Sequence, residues 1–156
     1  MQDKTNVMRL LDSRKISYKV REYDPNETNG EHIAALLGED TSRVFKTLVT
    51  VGKSNNNYVF VIPVKCELDL KKAAKSAYEK SVAMLKNKLL LPLTGYIHGG
   101  CSPIGMKKFF PTFVDNAAQN YPTIFVSAGR VGKQIEIAPA DLAKMIRLNF
   151  ADLCVE

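Results

Sequence analysis

Apolar positions recur along this chain with two different periods. In residues 6–14, Val7, Leu10 and Leu11 fall on one side while Arg9, Asp12 and Arg14 fall elsewhere, a helical spacing opened by the cap-capable Thr5 or Asn6. Residues 17–23 alternate instead, Tyr18, Val20 and Glu22 against Lys19, Arg21 and Tyr23, and predict a strand ending in the turn chemistry of Asp24-Pro25-Asn26 and Asn29-Gly30. A short helix over 33–37 is expected to stop at Gly38. Residues 44–51 and 58–65 are rich in Val, Phe, Ile, Thr and Tyr and, with polar residues 52–57 between them, predict a β-hairpin. Residues 68–78 carry Leu70, Ala73, Ala74 and Ala77 at helical spacing, with Lys71, Lys72 and Lys75 on another face and Asp69 where an N-terminal acid helps. Another short helix is expected over 86–91, stopped by Pro92. Strands follow at 113–116, 123–127 and 134–137, with a tight loop from Gly129 to Gly132 between the last two. Pro139 then opens a helix to about Arg147, with Leu142, Met145 and Ile146 inward.

Helices and strands are thus interspersed without regular βαβ alternation. This predicts an α/β (α+β) fold with a mixed, barrel-like β-sheet and flanking helices rather than a doubly wound sheet. At 156 residues the chain is expected to be one domain, residues 1–156, and its 46% hydrophobic and 24% charged residues suit a packed core rather than disorder or coiled coil. No apolar run approaches the length of a membrane helix, and the start Met1, Gln2, Asp3, Lys4, Thr5 has no apolar segment behind it, so no membrane association and a cytoplasmic location are expected. Cys66, Cys101 and Cys154 are far apart, odd in number and outside any Cys/His metal spacing, which predicts reduced thiols and neither disulfide framework nor metal. The excess of 22 Lys+Arg over 16 Asp+Glu, net +6, favours an anionic partner, with nucleic acid first.

The chemistry concentrates in one segment, Thr94-Gly95-Tyr96-Ile97-His98-Gly99-Gly100-Cys101-Ser102-Pro103-Ile104-Gly105. Glycine lets the backbone turn sharply and approach a ligand, and free amides can donate to an oxyanion or phosphate; an ordinary loop of tight turns is the simpler reading. The segment is neither a phosphate-binding GxxxxGK[ST] loop nor a GxGxxG dinucleotide fingerprint, so ATP-driven chemistry and a dinucleotide cofactor are not supported. Lys107 and Lys108 follow at once, either a phosphate landing site or a solvated pair. Lys46 interrupts the β-branched and apolar run Val44, Phe45, Thr47, Leu48, Val49; facing a cleft it would orient a carbonyl or phosphate, facing water it is the polar half of the alternation. Ser127 ends a strand before a glycine loop and is as much a turn former as a cleft hydroxyl. His32 and His98 flank no Ser or Cys elbow, so a triad is weakly supported, and His32 reads as a surface helix residue. Cys101 beside His98 invites a thiol-hydrolase reading against the alternative of a small loop residue, while Cys66 and Cys154 read as packing positions.

Taken together, Val44-Phe45-Lys46-Thr47-Leu48, Leu68-Asp69-Leu70-Lys71-Lys72-Ala73-Ala74-Lys75, Thr94-Gly95-Tyr96 with Gly99-Gly100 and Ser102-Pro103-Ile104-Gly105, and Phe125-Val126-Ser127 leading to Ile135-Glu136-Ile137-Ala138-Pro139 resemble the YbaK/EbsC-type aminoacyl-tRNA deacylases, relatives of the editing domain inserted in bacterial prolyl-tRNA synthetases. The blocks span nearly the whole chain in the same order.

The resemblance implies a trans-editing enzyme that removes mischarged cysteine from tRNA(Pro), without metal or cofactor, in tandem with prolyl-tRNA synthetase and tRNA and with no DNA partner. It also implies that the substrate's own thiol attacks its ester carbonyl while the protein positions the ester and stabilises the oxyanion. By match, Lys46 would hold the tRNA terminus or aminoacyl group and the amides of Gly99 and Gly100 would face the oxyanion. Tyr23, Thr47, Ser127 and Gly129 would line the substrate pocket, and Lys71, Lys72, Lys107, Lys108 and Arg130 would contact tRNA. The alternatives are a deacylase for Ala or Ser, a non-catalytic nucleotide- or RNA-binding module, and thiol hydrolysis through Cys101.

Overall fold

The computed structural model describes residues 4–156; Met1, Gln2 and Asp3, which carry part of the expectation of a polar start, lie outside the described residues. In chain order the elements are α1 (Asn6–Ser13), β1 (Lys19–Glu22), α2 (Gly30–Leu37), β2 (Phe45–Gly52), β3 (Asn57–Pro63), α3 (Leu70–Ala77), β4 (Val82–Met84), α4 (Leu90–Thr94), β5 (Thr112–Asp115), β6 (Ile124–Arg130), β7 (Lys133–Ile137), α5 (Pro139–Met145) and β8 (Leu148–Ala151). Turns of 3-10 helix stand at Asn87–Leu89 and Asn116–Asn120.

The strands form a three-stranded sheet in the order β1-β7-β6 and a five-stranded sheet in the order β4-β2-β3-β5-β8. The β2–β3 hairpin sets Lys46 opposite Ile62 and Val49 opposite Val59. β3–β5 and β5–β8 are parallel, so the second sheet is mixed as the element pattern predicts. Short β4 and β8 carry no clear alternation of their own and are recruited by pairing with longer neighbours, which is why they are not visible in the sequence pattern.

Alternation along β3 divides the core. Val59 and Val61 join Phe45, Val49, Val126, Ile135 and Ile137 between the two sheets, where Val7, Met8 and Leu11 of α1 also pack. Phe60 and Ile62 point the other way, with Phe113, beneath Ala73, Ala74 and Ala77 of α3. The Phe60 and Phe113 rings stack with centroids 5.3 Å apart. Small residues on the buried face of α3 let the helix lie close, and its N-terminal amides at Lys71 and Lys72 donate to the capping carboxylate of Asp69.

Three helices differ from expectation in their bounds. α2 begins at Gly30 rather than Ile33 because the Asn29 side chain caps it, accepting from the amides of Glu31 and His32. Pro92 does not stop the fourth helix but sits in its first turn, where the missing amide would have had no intrahelical partner. The chain stops instead at Gly95, in the left-handed conformation with φ +88°. α5 closes at Met145, two residues short of Arg147, with Leu142 fully inward and Met145 and Ile146 partly buried.

The two sheets meet where the segment before β2 crosses β6. Val44 forms a parallel bridge with Phe125, and the Phe125 amide donates to the Arg43 carbonyl at 2.9 Å. The Arg43 guanidinium lies over the Phe125 ring at 5.2 Å, donates to the Thr123 carbonyl and hydroxyl, and pairs with Glu39 and Glu136 at 3.4 Å each. Arg21 approaches the same ring and pairs with Glu39 at 3.1 Å. The sheets are thereby joined at one corner rather than by a continuous closed ladder.

Arg43→Ala is expected to lower the free energy of unfolding by about 2–3 kcal/mol, as charge-assisted bonds to a backbone carbonyl and two carboxylates are lost together. Phe60→Ala should cost about 3–5 kcal/mol through the cavity it leaves. Urea denaturation of both variants checks these values.

Candidate functional site

β2 shares its outer edge between two neighbours. Its last residues pair with β4, Thr50 opposite Met84, and the Leu85 amide donates to the Val49 carbonyl; its approach bridges β6 at Val44. Between these two points no strand pairs with residues 46–48 on this edge among the described residues. A cleft of about 140 Å³ opens at this gap. Lys46, Thr47 and Leu48 line it with Thr28, Gly30 and Ile33 from the α2 region, Leu90, His98, Gly99 and Cys101 from the glycine-rich segment, and Ser127 and Gln134 from the facing sheet.

The glycine-rich segment is built around Tyr96. Its hydroxyl donates to the Ile104 carbonyl, and a Cβ at Gly105 or Gly129 would meet the Tyr96 ring or hydroxyl at 2.9–3.1 Å. Both glycines have positive φ, +80° and +93°, so neither position suits a side chain. Burial, then the proximity of the Cys101 thiol, pushes the Tyr96 phenol up to about 12, and it remains a neutral donor. With this anchor in place, residues 97–100 form a turn in which the Gly100 amide donates to the Ile97 carbonyl at 3.0 Å and Gly99 takes φ +85°. A positive φ at the third position is the type II requirement, and glycine meets it.

The turn separates the two amides expected at the site. Gly100 is occupied by Ile97 and packs on the backbone of Arg130 and Val131, so it does not line the cleft. Gly99 lines it, and the amides of Gly99 and Cys101 have no hydrogen-bond partner among the described residues. Lys46 lines the cleft half-buried, without hydrogen-bond or ion-pair partner among the described residues, and neither arginine nor carboxylate joins it in the lining. Thr47 Oγ1 and Gln134 Oε1 are buried there without a partner, and Gln134 is only 5% exposed. Such orphaned groups are rare in native interiors and suit a ligand that supplies the missing partner.

Of the remaining predicted residues, Ser127 lines the cleft and its hydroxyl accepts from the Gly129 amide at 3.1 Å inside a β-bulge. Gly129 itself faces Val7 and Tyr96, away from the cleft. Tyr23 does not line the cleft either; its hydroxyl is buried and unpartnered. Lys71, Lys107 and Lys108 are exposed, whereas Lys72 is tied to Asp152 at 3.0 Å and to the Cys154 carbonyl at 2.8 Å, holding the C-terminal segment against α3. Arg130 is exposed at the end of β6 and engaged in an interaction of its own. Thr28, Gly30, Ile33 and Gln134 are cleft residues that pattern reading missed. Gln134 sits in an alternating strand like any other polar residue, and only its pairing opposite Ser127 brings it to the site. No group of three or more His, Cys, Asp or Glu is placed to hold a metal ion, and no helix is long and apolar enough to cross a membrane, among the described residues.

The cleft lacks an assembled protein nucleophile. No hydrogen bond joins His98 to Cys101 or Ser127 among the described residues, and burial pushes the Cys101 thiol up to about 12, far from the lowered values of reactive thiols. At pH 8, iodoacetamide is expected to alkylate Cys101 at least about a hundredfold more slowly in the native protein than in the unfolded chain. Peptide mass spectrometry reads this directly, and comparable rates in the two states would contradict it.

Residues 24–145 match the family described as the aminoacyl-tRNA editing domain. An Enterococcus faecalis protein assigned as Cys-tRNA(Pro)/Cys-tRNA(Cys) deacylase EbsC is 49% identical over 154 residues, covering 97% of this chain and 94% of that protein. The fold matches the crystal structure of a protein assigned as a trans-editing enzyme for prolyl tRNA synthetase, with TM-score 0.85 and 24% identity over 99% of this chain and 100% of that one. It also matches the hypothetical protein APE2540, with TM-score 0.87 and 23% identity over 96% and 99% of the two chains. With the family match spanning the cleft and the relative aligned nearly end to end, the chain belongs to the aminoacyl-tRNA editing domain family.

Proposed function

We propose that this protein is a trans-editing deacylase that removes cysteine mischarged on tRNA(Pro), acting alongside prolyl-tRNA synthetase. The observation that carries the mechanism is the composition of the cleft: one half-buried cation, two unpartnered amide donors and two orphaned polar side chains, without a bonded nucleophile and base. Such a site positions and stabilises rather than attacks.

In this reading the sulfur of the substrate cysteine attacks its own ester carbonyl. The S–C bond forms, the C–O bond to the terminal ribose breaks, the thiol proton ends on the released ribose hydroxyl, and the amino acid leaves as a cyclic thiolactone. The Gly99 amide faces the carbonyl oxygen as it gains charge, with Cys101 contributing its amide rather than its thiol. Lys46 holds the aminoacylated terminus through its cation, and Gln134 Oε1 accepts from the substrate's ammonium group, the partner it lacks in the protein. Thr47 and Ser127 complete the wall beside the side chain. Lys107 and Lys108 supply exposed positive charge for the tRNA backbone, whereas Lys72 is engaged with the C-terminal segment. The raised thiol of Cys101 disfavours hydrolysis through the protein's own cysteine.

Release of labelled amino acid from Cys-tRNA(Pro), with Ala-tRNA(Pro) and Ser-tRNA(Pro) in parallel, tests the reading. Cysteine alone should be released, because a reacting thiol filters substrates better than a small pocket, which separates single methylenes by only about 1–3 kcal/mol. Loss of Ala or Ser instead would require a positioned water as nucleophile. Lys46→Ala should lower kcat/KM by about 10²–10³ while uncharged tRNA still binds within about threefold of wild type. Gln134→Leu should reduce kcat/KM by about tenfold or more through the lost ammonium contact. Intact Cys-tRNA(Pro) after incubation with the wild-type protein at catalytic concentration would sink the proposal.

A further inference from the structure

The deacylation moves one proton, which leaves the substrate's sulfur as the S–C bond forms and must reach the ribose oxygen as the C–O bond breaks. Three cleft residues carry a titratable side chain, Lys46, His98 and Cys101; the rest of the lining is hydroxyl, the Gln134 amide and hydrocarbon. Burial pushes the Cys101 thiol up to about 12, so it stays protonated near neutral pH. A lysine ammonium donates hydrogen bonds but has no lone pair with which to take a proton. An imidazole is the side chain that takes up a proton and gives it back between pH 5 and 8.

The placement of His98 suits that exchange. It is exposed, and it lines both the cleft and a groove of about 280 Å³ that continues over Leu85 and Asn87, which sets it at the cleft mouth. Its ring has no hydrogen-bond or ion-pair partner among the described residues, so both nitrogens are open to a ligand. Its backbone is the second position of the turn closed at 3.0 Å by the Gly100 amide on the Ile97 carbonyl, directly before Gly99. The imidazole thus stands on the same fixed turn as the amide that faces the oxyanion. Lys46 on β2 is the charged group that shares the lining with it. The α2 region brings Thr28, α4 brings Leu90, and β6 and β7 bring Ser127 and Gln134, none of them charged. On the groove side Met84, Leu85 and Asn87 add no charge.

We propose that His98 carries the proton of the deacylation: its neutral imidazole takes the proton of the substrate thiol as the sulfur bonds to the carbonyl carbon, and the imidazolium gives it to the ribose oxygen as that oxygen leaves. Sulfur and ribose oxygen are attached to the same tetrahedral carbon between the two steps, so one ring serves both in turn, as one histidine serves nucleophile and leaving group in other acyl transfers. The ring ends neutral, as it began, and no further reactant is consumed. The nucleophile remains the substrate's. The inference rests on the deacylase reading and adds to it a side chain that touches the moving proton.

Release of labelled cysteine from Cys-tRNA(Pro) by the full chain, corrected for the protein-free rate, tests it. His98→Ala should lower kcat by about 10², the low end for a positioned acid–base group, with KM within about threefold of wild type. Added imidazole should raise the His98→Ala rate by at least about tenfold, a rescue that a merely structural turn residue would not show. His98→Gln keeps a polar side chain that cannot carry a proton and should be as slow as His98→Ala. The ratio of wild-type to His98→Gln rates should rise with pH through about 6.5 and then level off, because the neutral ring is the accepting form and titration of the substrate's own groups cancels in the ratio. His32→Ala, which removes the exposed histidine of α2, should match wild type. A His98→Gln rate within about threefold of wild type at every pH, or a His98→Ala defect that imidazole does not relieve, would overturn the proposal and leave the deacylase reading standing. No release by the wild-type protein would reject the deacylase reading and this inference with it.

Discussion

The Arg43 corner is where this structure is decided. One residue gives its carbonyl to the Phe125 amide, its guanidinium to the Phe125 ring, the Thr123 carbonyl and two carboxylates, and so ties the segment entering β2 to β6. Because β2 is held there and again at β4, its edge is occupied at both ends and open in between. The unpaired stretch falls at Lys46, the lysine that interrupts the apolar and β-branched run of this strand. An unpaired edge is ordinarily a liability that proteins cover; here the gap is the cleft, roofed by the glycine-rich segment and α2.

That roof depends on a second constraint, the Tyr96 ring and hydroxyl. By occupying the space where Cβ atoms at Gly105 and Gly129 would stand, the ring packs the glycine-rich segment down onto β6. The Ile97–Gly100 hydrogen bond then uses the Gly100 amide and leaves the Gly99 amide without a partner. The polar equipment of the cleft is therefore mostly backbone, with buried groups that lack partners of their own. Preorganised donors in a partly closed space need little reorganisation as charge develops, which suits a reaction whose nucleophile belongs to the substrate. The same burial that shapes the site pushes the Cys101 thiol up, which disfavours its thiolate.

Along the chain the charge is uneven: residues 22–42 hold six acidic residues and neither lysine nor arginine, and residues 80–114 hold five lysines and no acidic residue. The net charge points to an anionic partner, while part of the acidic run is already paired within the fold, Glu39 with Arg21 and Arg43 and Glu22 with Lys133.

Local chemistry determined much of the outline. The β2–β3 hairpin, the Asp69-capped α3, the Pro139 start of α5 and the mixed sheet with flanking helices follow from periodicity, capping and turn residues, which act over a few positions and so are written locally. The ordered blocks around Lys46, Gly99 and Ser127 likewise carried the family. What the tertiary structure decided depends on contacts between distant residues. β4 and β8 exist because longer strands recruit them, and Pro92 is tolerated because its missing amide falls in a first turn. Gly100 and Gly129 are drawn into packing while Gly99 is left facing the cleft, a difference set by Tyr96, Val131 and a turn hydrogen bond that no spacing encodes. Lys72 is engaged at the surface by Asp152, 80 positions away. Gln134 enters the cleft only because β6 and β7 pair in a register that sets it opposite Ser127. The sequence by itself determined most of the elements and the family to which the chain belongs; which polar groups remain without a partner was settled by the packing, because satisfaction of a hydrogen-bonding group is a property of its neighbours in space.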